Sequence, residues 1–310
     1  LTTTLMSGFT TVRDVGGKLA LSLRDAVNRG YIDGPRILAA GQSLAIMGGH
    51  ADPTNGGRED LLGVPDEEQG VVNGIDSGIR AARLAFKRGS DLIKITATGG
   101  VLSIARDGSS PQFFEEEIEA IVAVADGFGI KVTAHAHGDE GMQRAVRAGV
   151  ASIEHGTYMS AETMELMKER GAYLVPTITA GRSVADSARI ENYYIPMVAE
   201  KALRVGPVIQ GTFAKAYQAG VPIAFGTDAG VFKHGRNALE FQYMVEAGMP
   251  AIEAIRTSTV HAANLLGLGD DLGSLEAGKF ADVIAVAGNP LDDVAALMDV
   301  QFVMREGNVY

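Results

Sequence analysis

The chain has 310 residues, 46% of them hydrophobic, and a formal net charge of −11. That is enough apolar material for one large domain, or a large domain with a small companion, and it argues against disorder. The acidic balance, without any cluster of Lys or Arg interleaved with aromatics, excludes a nucleic-acid backbone as partner. No apolar run approaches the roughly 20 residues that span a bilayer, so no membrane partner is expected. The chain has no cysteine, which excludes disulfides, Cys-ligated zinc and a thiol nucleophile and leaves the compartment open between cytoplasmic and periplasmic or secreted.

Taken in order, Leu1–Thr10 (LTTTLMSGFT) reads as the tail of a helix running into a strand, not a natural start, so a preceding segment is expected. Thr10–Val15 is a strand, Leu19–Arg29 a helix ended by Gly30, and Arg36–Ala40 a second strand. A Gly-rich loop, Gly41–Gly63, carries Met47-Gly48-Gly49-His50. A helix around Gly78–Arg88, a strand Leu92–Thr98 (LIKITAT), a Gly/Ser loop and a helix Glu115–Phe128 follow. Ile130–Gly156 then forms a complete strand–helix–strand unit. Its first strand is the β-branched run Ile130–Ala134, its helix shows Met142, Ala145, Val146 and Val150 at helical spacing, and Gly149 stops that helix. Beyond it come a helix near Ala161–Arg170, a strand Tyr173–Thr179, a polar helical insertion across Ala180–Gln218, a strand Pro222–Thr227, a helix Asn237–Gly248 and a helical pair Ala251–Leu266.

Alternating strands and helices predict a parallel α/β fold. Seven strands end near Val15, Ala40, Thr98, Ala134, Glu154, Thr179 and Thr227. One more upstream completes a (β/α)8 TIM barrel. An open doubly wound sheet is the competitor, but no GxGxxG sits between a strand and a helix. The barrel is assigned to residues 1–268. Residues 269–310 change to short alternating strands with Gly and Asn-Pro turns, and are expected to be part of a small β-sandwich whose other strands come from upstream.

In such barrels the chemistry lies at the carboxyl ends of the strands. Those ends carry Lys94, His135, His137, His155 and Asp228. Parallel strands joined by a crossover helix point the same way, so His135 and His155 emerge at one sheet edge. Each alone reads best as a strand cap, but together they suggest a metal. A lysine inside an apolar strand is costly unless paired or modified. Lys94 therefore either snorkels to the barrel mouth, forms a Schiff base, or is carbamylated by carbon dioxide into a carboxylate that bridges two metals, and the histidines favour the last. Asp228 is suited to a second ion and to taking the proton of a bridging water. His137, two residues beyond His135, falls on the same face as a substrate contact or supporting residue, the alternative being a structural role.

These residues resemble the amidohydrolase superfamily, binuclear metal subtype, and within it the imidazolonepropionase-like group that contains Xaa-Pro and Xaa-Arg/Lys dipeptidases. The motifs are GFTTVRDVGG at Gly8–Gly17, GPRILAAG at Gly34–Gly41, GGHAD at Gly48–Asp52, IKITATGGV at Ile93–Val101, AHAHG at Ala134–Gly138, IEHG at Ile153–Gly156, GTDAG at Gly226–Gly230 and GSLEAGKFADVIAV at Gly273–Val286. The resemblance implies two divalent metal ions, zinc foremost, with carboxylated Lys94 bridging them. His135 and His155 would hold one ion, and Asp228 the other while serving as general base and acid. It also implies that His50 contacts the scissile carbonyl or the substrate carboxylate, the alternative being an ordinary loop residue. Arg106 and His234 lie on loops at the same mouth, where each either meets a substrate carboxylate or is merely solvated. The family's His-x-His pair at the end of its first strand does not precede Gly8.

The implied reaction is hydrolysis of the amide bond of a dipeptide or N-acyl amino acid, ochratoxin-type amides included. The alternatives are a cyclic-amide or deaminase-type hydrolase, a Schiff-base aldolase that leaves the histidines unexplained, and a non-catalytic binding protein if the first-strand pair is truly absent. Acidic barrels of this family commonly associate, so a homo-oligomer is expected.

Overall fold

The computed structural model describes residues 1–104 and 108–310. Arg106 lies outside the described residues. Its elements alternate as the apolar periodicity predicts. Helix α1 (Thr2–Met6) leads into β1 (Thr11–Asp14), followed by α2 (Ala20–Asn28), β2 (Arg36–Ala39), the two-residue strands β3 (Ala45–Ile46) and β4 (Val71–Val72) with α3 (Glu59–Leu62) between them, α4 (Ile75–Lys87) and β5 (Leu92–Thr96). Then come α5 (Glu115–Gly127), β6 (Lys131–Ala136), α6 (Asp139–Arg147), β7 (Ser152–His155), α7 (Ala161–Arg170) and β8 (Tyr173–Val175). Helices α8 (Ile178–Ala188), α9 (Pro196–Ala219), α10 (Leu239–Glu246), α11 (Ala251–Arg256) and α12 (Ala262–Leu266) precede β9 (Val283–Val286), β10 (Val300–Arg305) and β11 (Asn308–Val309).

Every pairing among β1 to β8 is parallel. The order β5-β6-β7-β8 follows the chain. Backbone bonds extend it on both sides: Leu44 donates to Lys94 and Asp91 donates to Ala39 at one flank, and Ala224 donates to Leu174 at the other. All five residues of β5 are buried, as expected for a strand covered on both faces. The helices pack through small residues; α4 buries Ser77, Gly78, Ala81, Ala82 and Ala85, and Gly78 faces Ile121 of α5. Near the carboxyl end, β9, β10 and β11 form an antiparallel sheet in the order β11-β10-β9. Arg36 of β2 reaches Asp282 beside that sheet at 3.1 Å, and its guanidinium lies over the Phe280 ring.

Three stretches depart from the sequence reading. The strand expected over Tyr173–Thr179 stops at Val175, because Pro176 has no N–H for a ladder and Thr177, at φ 51°, turns the chain into α8. The strand expected over Pro222–Thr227 has one bridge, Ile223 to Leu174. On its other flank it meets helical residues instead of a strand: Phe225 donates to the Thr257 carbonyl at 3.0 Å, and the His261 ring lies 3.0 Å from the Ile223 carbonyl. The helical pair over Ala251–Leu266 is one run, with a π-helical turn at Thr257–His261 joining α11 to α12. That turn shifts the backbone register, and Thr257 and His261 are the residues that hold the Ile223–Phe225 segment.

The insertion forms an antiparallel hairpin of α8 on α9. Their crossing is fixed by glycine: a Cβ on Gly206 would stand 2.3 Å from the Ala185 Cβ and 2.9 Å from the Gly181 carbonyl oxygen. Gly206→Ala is therefore expected to lower the unfolding free energy by more than about 1 kcal/mol through overpacking. Gly211→Ala, in the same helix with open space around the new methyl, should instead stabilise by up to about 1 kcal/mol through helix propensity. Urea unfolding of the two variants checks the contrast.

Candidate active site

Four imidazoles meet at the carboxyl ends of the parallel strands. His135 and His137 leave the end of β6 on one face, His155 ends β7, and His50 comes from the loop after β3. The His135 ring lies 4.4 Å from that of His50, 4.8 Å from His137 and 4.7 Å from His155 between centroids. One ring nitrogen each of His135, His137 and His155 falls within 4.8 Å of the others, so the three offer a common metal position. His137, read from the sequence as a substrate contact, a supporting residue or a structural one, thus stands in the same cluster as the two expected ligands.

Backbone and hydroxyl groups set the rings. Nδ1 of His155 is 2.6 Å from Thr177 Oγ1, Nδ1 of His137 is 2.7 Å from Thr157 Oγ1, and Nε2 of His135 is 3.0 Å from the Gly99 carbonyl. The His137 N–H donates to Thr98 Oγ1 at 2.9 Å. Thr177 owes its position to a buried carboxylate: Glu240 of α10 accepts the N–H groups of Ile178 and Thr179 and the Thr179 hydroxyl, at 2.7, 2.7 and 2.6 Å, capping α8 from another helix. Burial outweighs these bonds and raises the Glu240 carboxyl to about 7. His155, Thr177 and Asp228 have φ of 75°, 51° and 55°, so three successive strand ends beside the cluster hold non-glycine residues in the left-handed region. Such strain is kept where surrounding structure fixes a side chain for use.

Below the imidazoles lies a charged floor. Lys94 is 5% exposed, and among the described residues no hydrogen bond or ion pair engages its Nζ. Burial lowers its pKa, while the charges of Glu154 and Asp228 act the other way. Glu154 of β7 is paired with Arg13 of β1 at 2.8 Å and accepts hydroxyls from Ser152, at 2.8 Å, and Thr133. Burial opposes its ionisation, but Arg13, Lys94 and those hydroxyls prevail and hold its carboxyl below the usual range. Asp228 is raised to about 6, first by burial and then by Glu154 and Asp14, against the pull of Lys94. Burial is the largest cause at every imidazole: His50 falls to about 4, His137 to about 3, and His135 and His155 well below the ordinary value. All four are therefore neutral near pH 7, the form that donates a lone pair to a metal.

One open cavity of about 560 Å³ contains the cluster, Lys94 and Asp228, with His234 at its rim. His234 is exposed and its Nδ1 lies 3.2 Å from Thr4 Oγ1. His50 Nδ1 is buried without a partner, and the ring fits only because residue 100 is glycine: a Cβ there would stand 2.1 Å from His50 Cε1. Sequence reading passed over Arg13, Glu154, Thr157, Thr177 and Glu240. The glutamate in SIEHG and the arginine in TTVRDV, each a charge inside an apolar strand, were the available signal for the first two.

Neutral imidazoles gathered at the ends of parallel strands, above a buried lysine and beside an aspartate that lines the same cavity, fit a metal site of an α/β protein. The chain belongs to the amidohydrolase family, whose model matches residues 1–310. It is 55% identical to an Xaa-Pro dipeptidase solved with methionine bound in the active site, with a TM-score of 0.98, covering 100% of this chain and 77% of that one. A prolidase solved with N-methylphosphonate-L-proline is 33% identical with a TM-score of 0.91, covering 99% and 77%. The ochratoxinase of Aspergillus niger is 35% identical over 326 residues, covering 99% of this chain, which spans 66% of that protein's length.

Gly100→Ala should cost about 1–3 kcal/mol by overpacking against the His50 ring. Most of that cost should vanish in a His50→Ala background, giving a coupling energy above about 1 kcal/mol in a double-mutant cycle read by urea unfolding.

Proposed function

We propose that the protein hydrolyses the amide bond of a dipeptide or an N-acyl amino acid, ochratoxin-type amides included, with divalent metal at the histidine cluster. The observation that carries this reading is the convergence of three neutral imidazoles, His135 and His137 buried and His155 half-buried, on one point above a buried lysine that has no hydrogen-bond or ion-pair partner among the described residues. Similarity to Xaa-Pro dipeptidases and to ochratoxinase supports it. The parallel strands are read as staves of a (β/α)8 barrel over residues 1–268, with 269–310 part of a small β-sandwich.

His135 and His155 would hold one ion and Asp228 a second, with His137 close enough to join or replace a ligand. Divalent metal held by these residues, zinc foremost, would supply polarisation of the scissile carbonyl and a lower pKa for the attacking water. Lys94 would serve as its carbamate. Burial favours the neutral amine, whose nitrogen would add to carbon dioxide and pass its proton to solvent, giving a carboxylate that could serve as a metal ligand. Asp228 would take the proton of the attacking water and give it to the leaving amine. His50, neutral and with its buried Nδ1 unsatisfied, is placed to bond a polar group of the substrate. Thr177 and Thr157 fix the tilt of His155 and His137, the supporting role that ligand imidazoles depend on.

Metal per chain by atomic emission, on full-length protein purified without chelator, together with amino-acid release from dipeptides and N-acyl amino acids, tests the reading. Near two ions per chain with amide hydrolysis is expected; a metal-free, inactive protein points to a binding role instead. Lys94→Ala should abolish turnover and lower metal content, without rescue by bicarbonate, and full activity in that variant would remove the bridging carbamate. Asp228→Asn should keep most of the metal while losing on the order of 10²–10⁴ in kcat. Thr177→Val should weaken metal binding about 10- to 100-fold, read by competition with a chromophoric chelator.

A further inference from the structure

The cavity is asymmetric. Its floor is charged, but one wall is built from the α8–α9 hairpin and the loop after β5: Val101, Ala180, Val184, Val205 and Ile209, all buried among the protein's own atoms yet facing the cavity. Among the described residues this wall presents no charged group. Arg182, on the same helix, is turned away, paired with Glu246 at 2.8 Å and stacked 4.0 Å above the Tyr243 ring. The wall starts at the metal position itself, because α8 begins one residue after Thr177, which bonds His155. Ala180 and Val184 follow at one-turn spacing, so the apolar surface runs outward from the imidazoles by about 5 Å per turn. The close crossing of α8 on α9 at Gly206 fixes its width.

We infer that this wall is the subsite for the side chain flanking the scissile amide, and that it selects an uncharged apolar chain, aliphatic or aromatic, over lysine, arginine or glutamate. The inference rests on the hydrolase reading for where the scissile bond lies, but the preference itself comes from the wall. An apolar side chain gains by leaving water here, whereas a charged one loses its hydration with nothing in the wall to replace it.

The test is kcat/KM of the metal-loaded full-length protein across two dipeptide series, Xaa-Pro and Gly-Xaa, with Xaa as Leu, Met, Phe, Lys, Arg and Glu. In one series the apolar members should exceed the charged ones at least 30-fold. Val184→Asp should reduce that ratio at least tenfold by favouring Lys and Arg, with unchanged metal content. Val184→Thr, nearly isosteric and safer for folding, should lower kcat/KM for Leu, Met and Phe by three- to tenfold without changing the charged members. Equal or greater activity on charged side chains in both series, or a ratio that neither substitution moves, overturns the inference. If no amide is cleaved at all, the hydrolase reading fails first. The wall is then read by calorimetric binding of free L-leucine against L-lysine, where tighter leucine binding weakened by Val184→Thr supports it and equal binding overturns it.

Discussion

The site depends on holding four imidazoles, two buried and two half-buried, together and uncharged at one sheet edge. Protonating any of them would place a cation among neighbours less than 5 Å away and above Lys94. Burial settles that balance toward the neutral rings, and neutral rings require acceptors and donors of their own. Thr177, Thr157 and the Gly99 carbonyl supply them. Most of the surrounding backbone follows from delivering those groups: left-handed residues at successive strand ends, a strand cut short by Pro176, and a helix that starts where Thr177 must stand.

Two buried glutamates play parallel parts with different reach. Glu117 of α5 accepts the Gly74 and Phe114 N–H groups at 2.8 and 2.9 Å and so joins the starts of α4 and α5, away from the cavity. Glu240 does the same for α8, but the helix it caps begins beside a hydroxyl that bonds His155. The same capping device therefore serves packing in one place and aims a site residue in the other.

What the sequence reveals here tracks the range over which each interaction acts. Helices such as α5 and α7 follow from residues three and four apart, and their ends are legible to within a residue or two. His135, His137 and His155 are legible because strand alternation and a crossover helix fix direction without knowledge of partners. Asp228 is legible as the end of a strand-like run, although that run takes its hydrogen bonds from a helix as well as from β8. The Arg13–Glu154 pair, the Thr177 hydroxyl and the Glu240 cap are not legible, since each depends on groups from separate elements meeting in three dimensions. Nor are β3, inside the glycine-rich loop, and β4, beyond it, two residues each, where pairing and not periodicity makes the strand.

The pairing of Arg13 with Glu154 joins residues 141 positions apart. Without β1, the paired strands β5 through β8 offer Glu154 the charge of Lys94 and the Ser152 and Thr133 hydroxyls but not its ion-pair partner, and a buried ion pair lacking one member costs several kcal/mol. The four-strand sheet is therefore incomplete electrostatically until β1 arrives, whatever its own hydrophobic burial. Early and late strands are bound into one cooperative unit, and the entropy of closing so long a loop places their meeting late in folding.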